Sequence, residues 1–350
     1  MEIKDILAQT RVSLAPMAGI TDYVLRSLIR EQSKTCILTT EMISSEALHN
    51  VKETDMTKRD DNHSPIVYQL SGHKPEMMAE CAKYLEQMAD VIDINMGCPV
   101  NKVVKGQDGS ALMKNPSLAY DIVQAVRESI NIPVSVKFRL GYTQQDMNFV
   151  SYGQYMQDAG AEFITIHGRT RNQMYAGKAD WKKIRELKNN VDIPVFANGD
   201  VVSIDTAIQC LEESGADGVA IGRGALGDVT LIHRVEHYLN TGEKLSPPTL
   251  EEKIETMKQH LDREIELRGE KVGLKFVRKF YPFYISGVPN AAKYRSKLVV
   301  MEDYNEIIEA LDYIKKNNIS LWFGNIFCWT CNVCYFIISK YSKIYFGWVC

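Results

Sequence analysis

The sequence predicts a closed barrel of eight parallel strands ringed by helices, a (β/α)8 TIM barrel, followed by an all-helical domain. Three observations carry that prediction. Over the first 240 residues, eight short apolar runs alternate with longer segments of helical period. The runs are rich in β-branched residues with little polar alternation, as strands covered on both faces are. The 350-residue length accommodates a barrel of about 250 residues and a small second domain. A doubly wound open sheet is the alternative; a count of eight favours closure.

The predicted strands are Val12–Pro16, Cys36–Thr40, Ile66–Leu70, Val91–Asn95, Val134–Arg139, Phe163–His167, Val195–Asn198 and Gly218–Gly222. In Pro75–Ala89, residues Met78, Cys81, Ala82, Leu85 and Met88 recur at helical spacing behind a first-turn proline. Asn115–Ile130 opens with Asn-Pro, a cap and a first-turn proline. After Leu239 the character changes. NTGEKLSPP (240–248) is a turn-rich linker, and Leu250–Arg268, Gly273–Ser286, Ala291–Val299 and Asp303–Asn317 read as helices. The reading therefore divides the chain into a barrel over 1–244, a helical domain over 245–318 and an atypical tail over 319–350.

Composition is that of an ordinary globular chain, with 45% apolar residues, 24% charged residues and a net charge of −3. That total makes no case for nucleic acid by itself, although a local basic patch fits inside it. The start of the chain lacks a basic stretch followed by a long apolar run, so no signal peptide is expected. Cys36, Cys81, Cys98 and Cys210 have no framework spacing, which suits reduced thiols and a cytoplasmic location. Leu321–Ile338 is an uncharged, aromatic-rich run of 18 residues, marginal in length for a membrane span. Within it Cys328, Cys331 and Cys334 have metal-like spacing, but a closed zinc site wants four ligands and no histidine lies nearby. A non-functional extension, contact with a membrane or partner, and a metal site stay open for the tail. No chemistry is placed on it, and no metal or stable protein partner is expected.

In a barrel of this kind the site forms at the C-terminal ends of the strands. Strands seven and eight end in Asn198-Gly199-Asp200 and Gly222-Arg223-Gly224. Glycine lets backbone N–H groups approach phosphate oxygens, and Arg223 adds a bidentate charge, so the pair predicts phosphate binding. Ordinary βα turns also use glycine. Lys137, in VSVKFRLG, sits among apolar neighbours and needs an anionic partner such as the N1–C2=O edge of a reduced flavin, unless it reaches past the strand end to solvent. Gln69 suits the polar edge of the same ring. His167, ending FITIH, either contacts the ring or phosphate or packs in the core. Cys98 follows a strand, lies between Gly97 and Pro99, and begins the polar loop NKVVKGQDGS, which suits a lid. By itself it reads equally as a turn residue or a catalytic thiol.

Those residues lie in a series of blocks that resembles a known family. LAPMAGITD (14–22), QLSG (69–72), DINMGCPVNKVVKGQDGSALMKNP (93–116), VSVKFRLG (134–141), ITIHGRTR (164–171), FANGDV (196–201) and AIGRGALG (220–227) together resemble the tRNA-dihydrouridine synthases, most of all the bacterial B-type branch. The resemblance covers about residues 4–318, including RKFYPFYISGVPNAAKYR (278–295), and stops before the tail. It implies FMN contacts from Pro16, Met17, Ala18, Gln69, Lys137 and His167. It implies FMN phosphate contacts from Asn198, Gly199, Asp200, Gly222 and Arg223. Cys98 matches the family's proton donor, Arg139 a position lining the uracil pocket, and the C-terminal helices a tRNA-binding domain.

Independently of the resemblance, Lys271, Lys275, Arg278, Lys279, Lys293, Arg295 and Lys297 lie in a stretch, 271–300, without an acidic residue and interleaved with aromatics. Basic side chains neutralise phosphates and aromatics stack on unpaired bases, so this stretch is the candidate tRNA contact; a solvated basic face is the alternative. The implied reaction has two halves. NADPH (or NADH) first reduces FMN. A uridine flipped out of the tRNA then receives hydride from flavin N5 at C6 and a proton from Cys98 at C5, with Arg139 and Asn95 as candidate donors to the C4 oxygen. Two other functions remain compatible with the barrel: a flavin oxidoreductase of a small pyrimidine-like molecule, and a catalytically silent RNA-binding protein.

Overall fold

The computed structural model describes residues 2–51 and 54–326, with side chains through residue 318. The chain divides into two compact units, Met1–Pro247 and a second that begins at Pro248. Among the described residues of the first, the strands are β1 (Val12–Leu14), β2 (Leu38–Ser44), β3 (Ile66–Ser71), β4 (Val91–Asn95), β5 (Val134–Arg139), β6 (Phe163–His167), β7 (Val195–Asn198) and β8 (Gly218–Ile221). All pair in parallel in sequential order, and β1 pairs with β8. A parallel bridge from Ser13 to Ile37, with Leu14 N–H donating to the Ile37 carbonyl at 2.8 Å, closes the ring. The fold is therefore the predicted (β/α)8 barrel.

The parallel register stacks inward-facing residues in layers. At the N-terminal end Ile37, Val67, Val91, Phe163 and Phe196 form an apolar floor, closed by Ile6 with Ile3 and Leu7 of the helix Ile3–Gln9. Two residues further along the strands come Gln69, Asp93, Ser135 and Thr165, all buried. The next step brings Asn95, Lys137, His167 and Asn198 to the C-terminal mouth. Apolar residues thus stabilise one end while polar ones concentrate at the other.

The structure differs from the predicted elements in several places. β2 is Leu38–Ser44 rather than Cys36–Thr40, with an irregular register between Thr39 and Met42. Glu41 makes the run look finished, yet it is buried and accepts from the Gly19 N–H. The loop after β4, which the sequence reads as suited to a lid, contains the helix Asn101–Lys105 and a 3-10 turn over Gly109–Lys114. In the second unit, Gly273–Ser286 is two helices, Glu270–Val277 and Tyr281–Tyr284. Pro282 has no N–H to continue the first of them, and it sits instead in the opening turn of the second.

Among its described residues, the other helices of the second unit are Leu250–Arg268, Ala291–Leu298 and Tyr304–Ile326. The first of these begins in a capping box between Thr249 and Glu252. The last extends past Asn317, where the sequence predicts its end. Cys328, Cys331 and Cys334 lie outside the described residues. Among the described residues no helix is long and apolar enough to cross a membrane.

Candidate active site

The turns after β7 and β8 build an anion-fitting cradle. Gly199 has φ +120°, and a Cβ there would stand 2.8 Å from Ala179 Cβ and 3.0 Å from His167 Cδ2. Only glycine fits. Among the described residues, the N–H groups of Gly199, Asp200 and Arg223 donate to no acceptor in the turns or loops. Gly222 leads into the 3-10 turn Arg223–Ala225 and faces Met17, whose sulfur would lie 3.6 Å from a Cβ at that position. Pro16 and Met17 are half-buried beside it and Ala18 is exposed. The half-exposed Arg223 guanidinium lies 4.8 Å from the Tyr175 ring centroid.

Asp200 has a different task from the one its motif suggests. Its carboxylate accepts both oxygens' worth of hydrogen bonds from Arg169 Nη2, at 2.8 and 2.7 Å, and another from the Ala179 N–H at 2.7 Å. What Asp200 offers an anion is its backbone N–H. Arg169 is almost fully buried and also donates to the carbonyls of Ala176 and Gly177. This pair fastens the loop after β6 over the cradle.

At the centre of the mouth, Lys137 Nζ donates to Asn198 Oδ1 at 3.1 Å, while Asn198 Nδ2 donates to the Ala220 carbonyl at 2.7 Å. The Asn198 amide is thus occupied at both ends and orients Lys137. Desolvation, with Arg139 nearby, lowers the Lys137 ammonium to about 8. An arriving anion would reverse that pressure. His167 is held neutral by burial and by the surrounding cations Arg139, Lys137, Arg169 and Arg223, with Nε2 3.3 Å from Arg169 Nη1. Just below, a small cavity is lined by Ser13, Thr39, Asp93, Ser135, Lys137 and Thr165.

Cys98 is partly exposed on a loop pinned by backbone groups. Met96 N–H donates to the Lys137 carbonyl at 2.8 Å, and Arg139 Nε donates to the Gly97 carbonyl at 2.8 Å. Ser110 N–H donates to the Cys98 carbonyl at 3.1 Å. Asn95 Oδ1 accepts from the N–H groups of Gly97 and Cys98 at 3.1 and 2.9 Å. Behind Asn95, its Nδ2 donates to Gln69 Oε1 and Gln69 Nε2 donates to Asp93, each at 2.7 Å. Burial raises the Cys98 thiol above its ordinary value against the pull of the Val100 N–H, Arg139 and Lys137. The group is therefore a protonated thiol at neutral pH. Arg139 is buried and spends Nη1 on the carbonyls of Thr170 and Met174.

In the second unit Lys271 and Lys275 are exposed. Arg278 donates to the Met301 carbonyl at 2.9 Å and pairs with Glu302, so it holds the turn before Tyr304. Lys279 lies over the Phe276 ring at 3.1 Å from the centroid, with the Arg268 guanidinium at 3.9 Å. Sequence reading missed Asp93, Arg169 and Tyr175. DIN and HGR sit in the right blocks, but their roles depend on neighbours from other strands.

A family model described as "Dihydrouridine synthase (Dus)" matches residues 13–319 of this chain. The chain is 41% identical over 314 residues to the probable tRNA-dihydrouridine synthase 1 of Synechocystis sp., covering 89% of this chain and 88% of that one. It is 40% identical over 290 residues to tRNA-dihydrouridine synthase B of Shewanella oneidensis, covering 81% and 89%. Among solved structures it is similar to histamine dehydrogenase from Rhizobium sp. 4-9, with a TM-score of 0.50, 11% identity and coverage of 77% of this chain and 49% of the other. At that identity the likeness is one of fold.

Proposed function

The chain belongs to the dihydrouridine synthase family, and from that premise we propose that it reduces the C5–C6 bond of particular uridines in tRNA, with FMN as resident cofactor and NADPH (or NADH) as electron donor. The observation that carries the reading is Cys98, a thiol kept protonated by burial and held at the rim of a cationic mouth.

The residues present fit FMN. The N–H groups of Gly199, Asp200 and Arg223 with the Arg223 guanidinium suit its phosphate, and Gly222 leads into the turn that presents Arg223. Lys137 and Gln69 suit the polar edge of the ring, with Pro16, Met17, Ala18 and His167 around it. When bound, FMN supplies the redox chemistry, passing electrons from the nicotinamide to the pyrimidine. Cys98 delivers the proton to C5. Arg139 is the better-suited donor to the C4 oxygen. Among the described residues, its Nε and Nη1 serve the Gly97, Thr170 and Met174 carbonyls and leave Nη2, whereas the Asn95 amide is engaged at both ends with Gln69 and the Cys98 loop. A uridine must leave its stack to reach these groups. The exposed Lys271 and Lys275, with Lys293 and Lys297, serve the tRNA phosphates, and Lys279 completes a cationic aromatic surface. The corresponding domain assignment is a catalytic barrel followed by a tRNA-binding helical domain, in a cytoplasmic protein.

Purified protein is expected to carry FMN that denaturation releases, and with NADPH to form dihydrouridine in unmodified tRNA. Protein that takes up no flavin overturns the assignment. Arg223→Ala is expected to weaken FMN retention about tenfold, the low end for a charge-assisted contact because Arg223 is half exposed. Fluorescence titration of the flavin-stripped protein measures it, and an unchanged dissociation constant removes Arg223 from the phosphate site.

Replacing Lys271, Lys275, Lys293 and Lys297 together by glutamine is expected to lower tRNA affinity about tenfold or more. It should also flatten the salt dependence by about one unit of slope for each lysine that touches a phosphate. Arg278 is kept because it anchors the 301–302 turn. Filter binding across a salt series reads both quantities. Equal slopes in variant and wild type sink the role of this surface.

A further inference from the structure

We infer that Asp93 is a positioning residue for Cys98, acting through Gln69 and Asn95 from inside the barrel. The inference rests on Cys98 being the proton donor, and it assigns work to a carboxylate that touches neither the cofactor cradle nor the Cys98 loop. Asp93 on β4 accepts from Ser135 Oγ and Gln69 Nε2, both at 2.7 Å. Gln69 Oε1 then accepts from Asn95 Nδ2 at 2.7 Å, and Asn95 Oδ1 accepts from the Gly97 and Cys98 N–H groups. Ser135, Gln69, Asp93 and Asn95 are all buried, at 0%, 0%, 4% and 8% exposure, so bulk solvent does not compete for these hydrogen bonds.

The chain has a fixed direction. Each amide can be turned two ways, but an ionised carboxylate only accepts and a backbone N–H only donates. Burial raises the Asp93 carboxyl to about 6 against the hydrogen bonds from Gln69 and Ser135, so above that pH it is an acceptor-only group. Gln69 must accordingly aim its nitrogen at Asp93 and its oxygen at Asn95. Asn95 must then aim its oxygen at the Cys98 loop. If either amide turned over, like groups would face each other in a buried site. The Gly97 and Cys98 N–H groups fix the direction of Asn95 from the other end, so loss of the acceptor at 93 acts through Gln69. Its Nε2 is left without its partner, Gln69 is free to leave its rotamer, and the support that its Oε1 gives Asn95 Nδ2, behind the N–H anchor of Cys98, is weakened.

The test reads the loop directly, in the full chain with excess FMN. Iodoacetamide labelling of Cys98, resolved by peptide mass spectrometry, is expected to speed up about tenfold in Asp93→Ala. Asp93→Asn, which keeps an oxygen for Gln69 and turns its NH2 to Ser135 Oγ, is expected to stay within about twofold of wild type. In a double-mutant cycle, Asp93→Ala should add nothing to Asn95→Ala if it acts through that residue. Should Asp93→Ala not fold, amide exchange of the peptide spanning residues 96–99 in Asp93→Val, which fills more of the space and has no acceptor, is the alternative readout, with faster exchange expected. Wild-type labelling and exchange, an Asp93→Asn as fast as Asp93→Ala, or effects that multiply in the double variant would each overturn the inference. These readouts do not use turnover, so they can fail while Cys98 remains the proton donor, or hold while it does not.

Discussion

Asp200→Ala is expected to lower stability by about 3 kcal/mol, because it strands a buried guanidinium. Arg169 is 2% exposed and directs Nη2 at both Asp200 oxygens. Among the described residues, the other acceptors facing its guanidinium are the Ala176 and Gly177 carbonyls and His167 Nε2, none of which carries a negative charge. Removing one member of such a pair costs about 3–5 kcal/mol; Asp200 is 30% exposed, so water recovers part and the low end applies. The loop after β6 should loosen too, since the Ala179 N–H loses its acceptor. Alanine adds a backbone penalty of about 1 kcal/mol at φ +59°. Asp200→Asn, a residue that tolerates this conformation, separates the two terms, because it keeps the backbone and loses the charge. Urea unfolding provides the measurement, with the midpoint falling at constant slope. A loss below about 1 kcal/mol in Asp200→Ala would place the pair with ordinary surface ion pairs and remove its role as the fastener.

That role shows where sequence reading stops. β4 to β7 were legible because VIDIN, VSVKFR, FITIH and VFAN are dense apolar or β-branched runs with clear ends. β2 was misplaced because Glu41, which seems to end it, is buried against the Gly19 N–H. The floor helix Ile3–Gln9 is too short for its periodicity to stand out. In the site, Cys98, Lys137 and the two glycine turns were legible from their own blocks, since strand ends in a barrel converge. What each polar side chain does there was not. Asn198 faces Lys137 from two strands away, Asp200 turns back to Arg169, and Asp93 reaches Gln69 on the adjacent strand. Such pairings depend on register between strands, which no single block contains.

The larger functional effect is expected at Cys98, where alanine should slow reduction of uridine in tRNA by about 10²–10⁴-fold, the usual loss for a positioned general acid. The loop should remain in place without the thiol. Its described anchors are the Gly97 and Cys98 N–H groups on Asn95, the Gly97 carbonyl on Arg139 and the Cys98 carbonyl on Ser110. None of them uses sulfur. FMN retention and reduction by NADPH should therefore stay close to wild type, whereas oxidation of the reduced enzyme by unmodified tRNA should collapse. Cys98→Ser keeps a hydroxyl of similar size but a much weaker acid, and should also be slow. The pH dependence follows from the direction of the thiol's shift. Burial holds it protonated through neutral pH, so the donor is present there and is lost only as pH rises into the alkaline range above a thiol's ordinary value. If Cys98 merely shaped the turn, alanine would lower stability or flavin content without a selective loss in the tRNA half-reaction. Single-turnover oxidation by tRNA separates these outcomes. A wild-type rate in Cys98→Ala would strike the thiol from the mechanism and require another proton source at the mouth of the barrel.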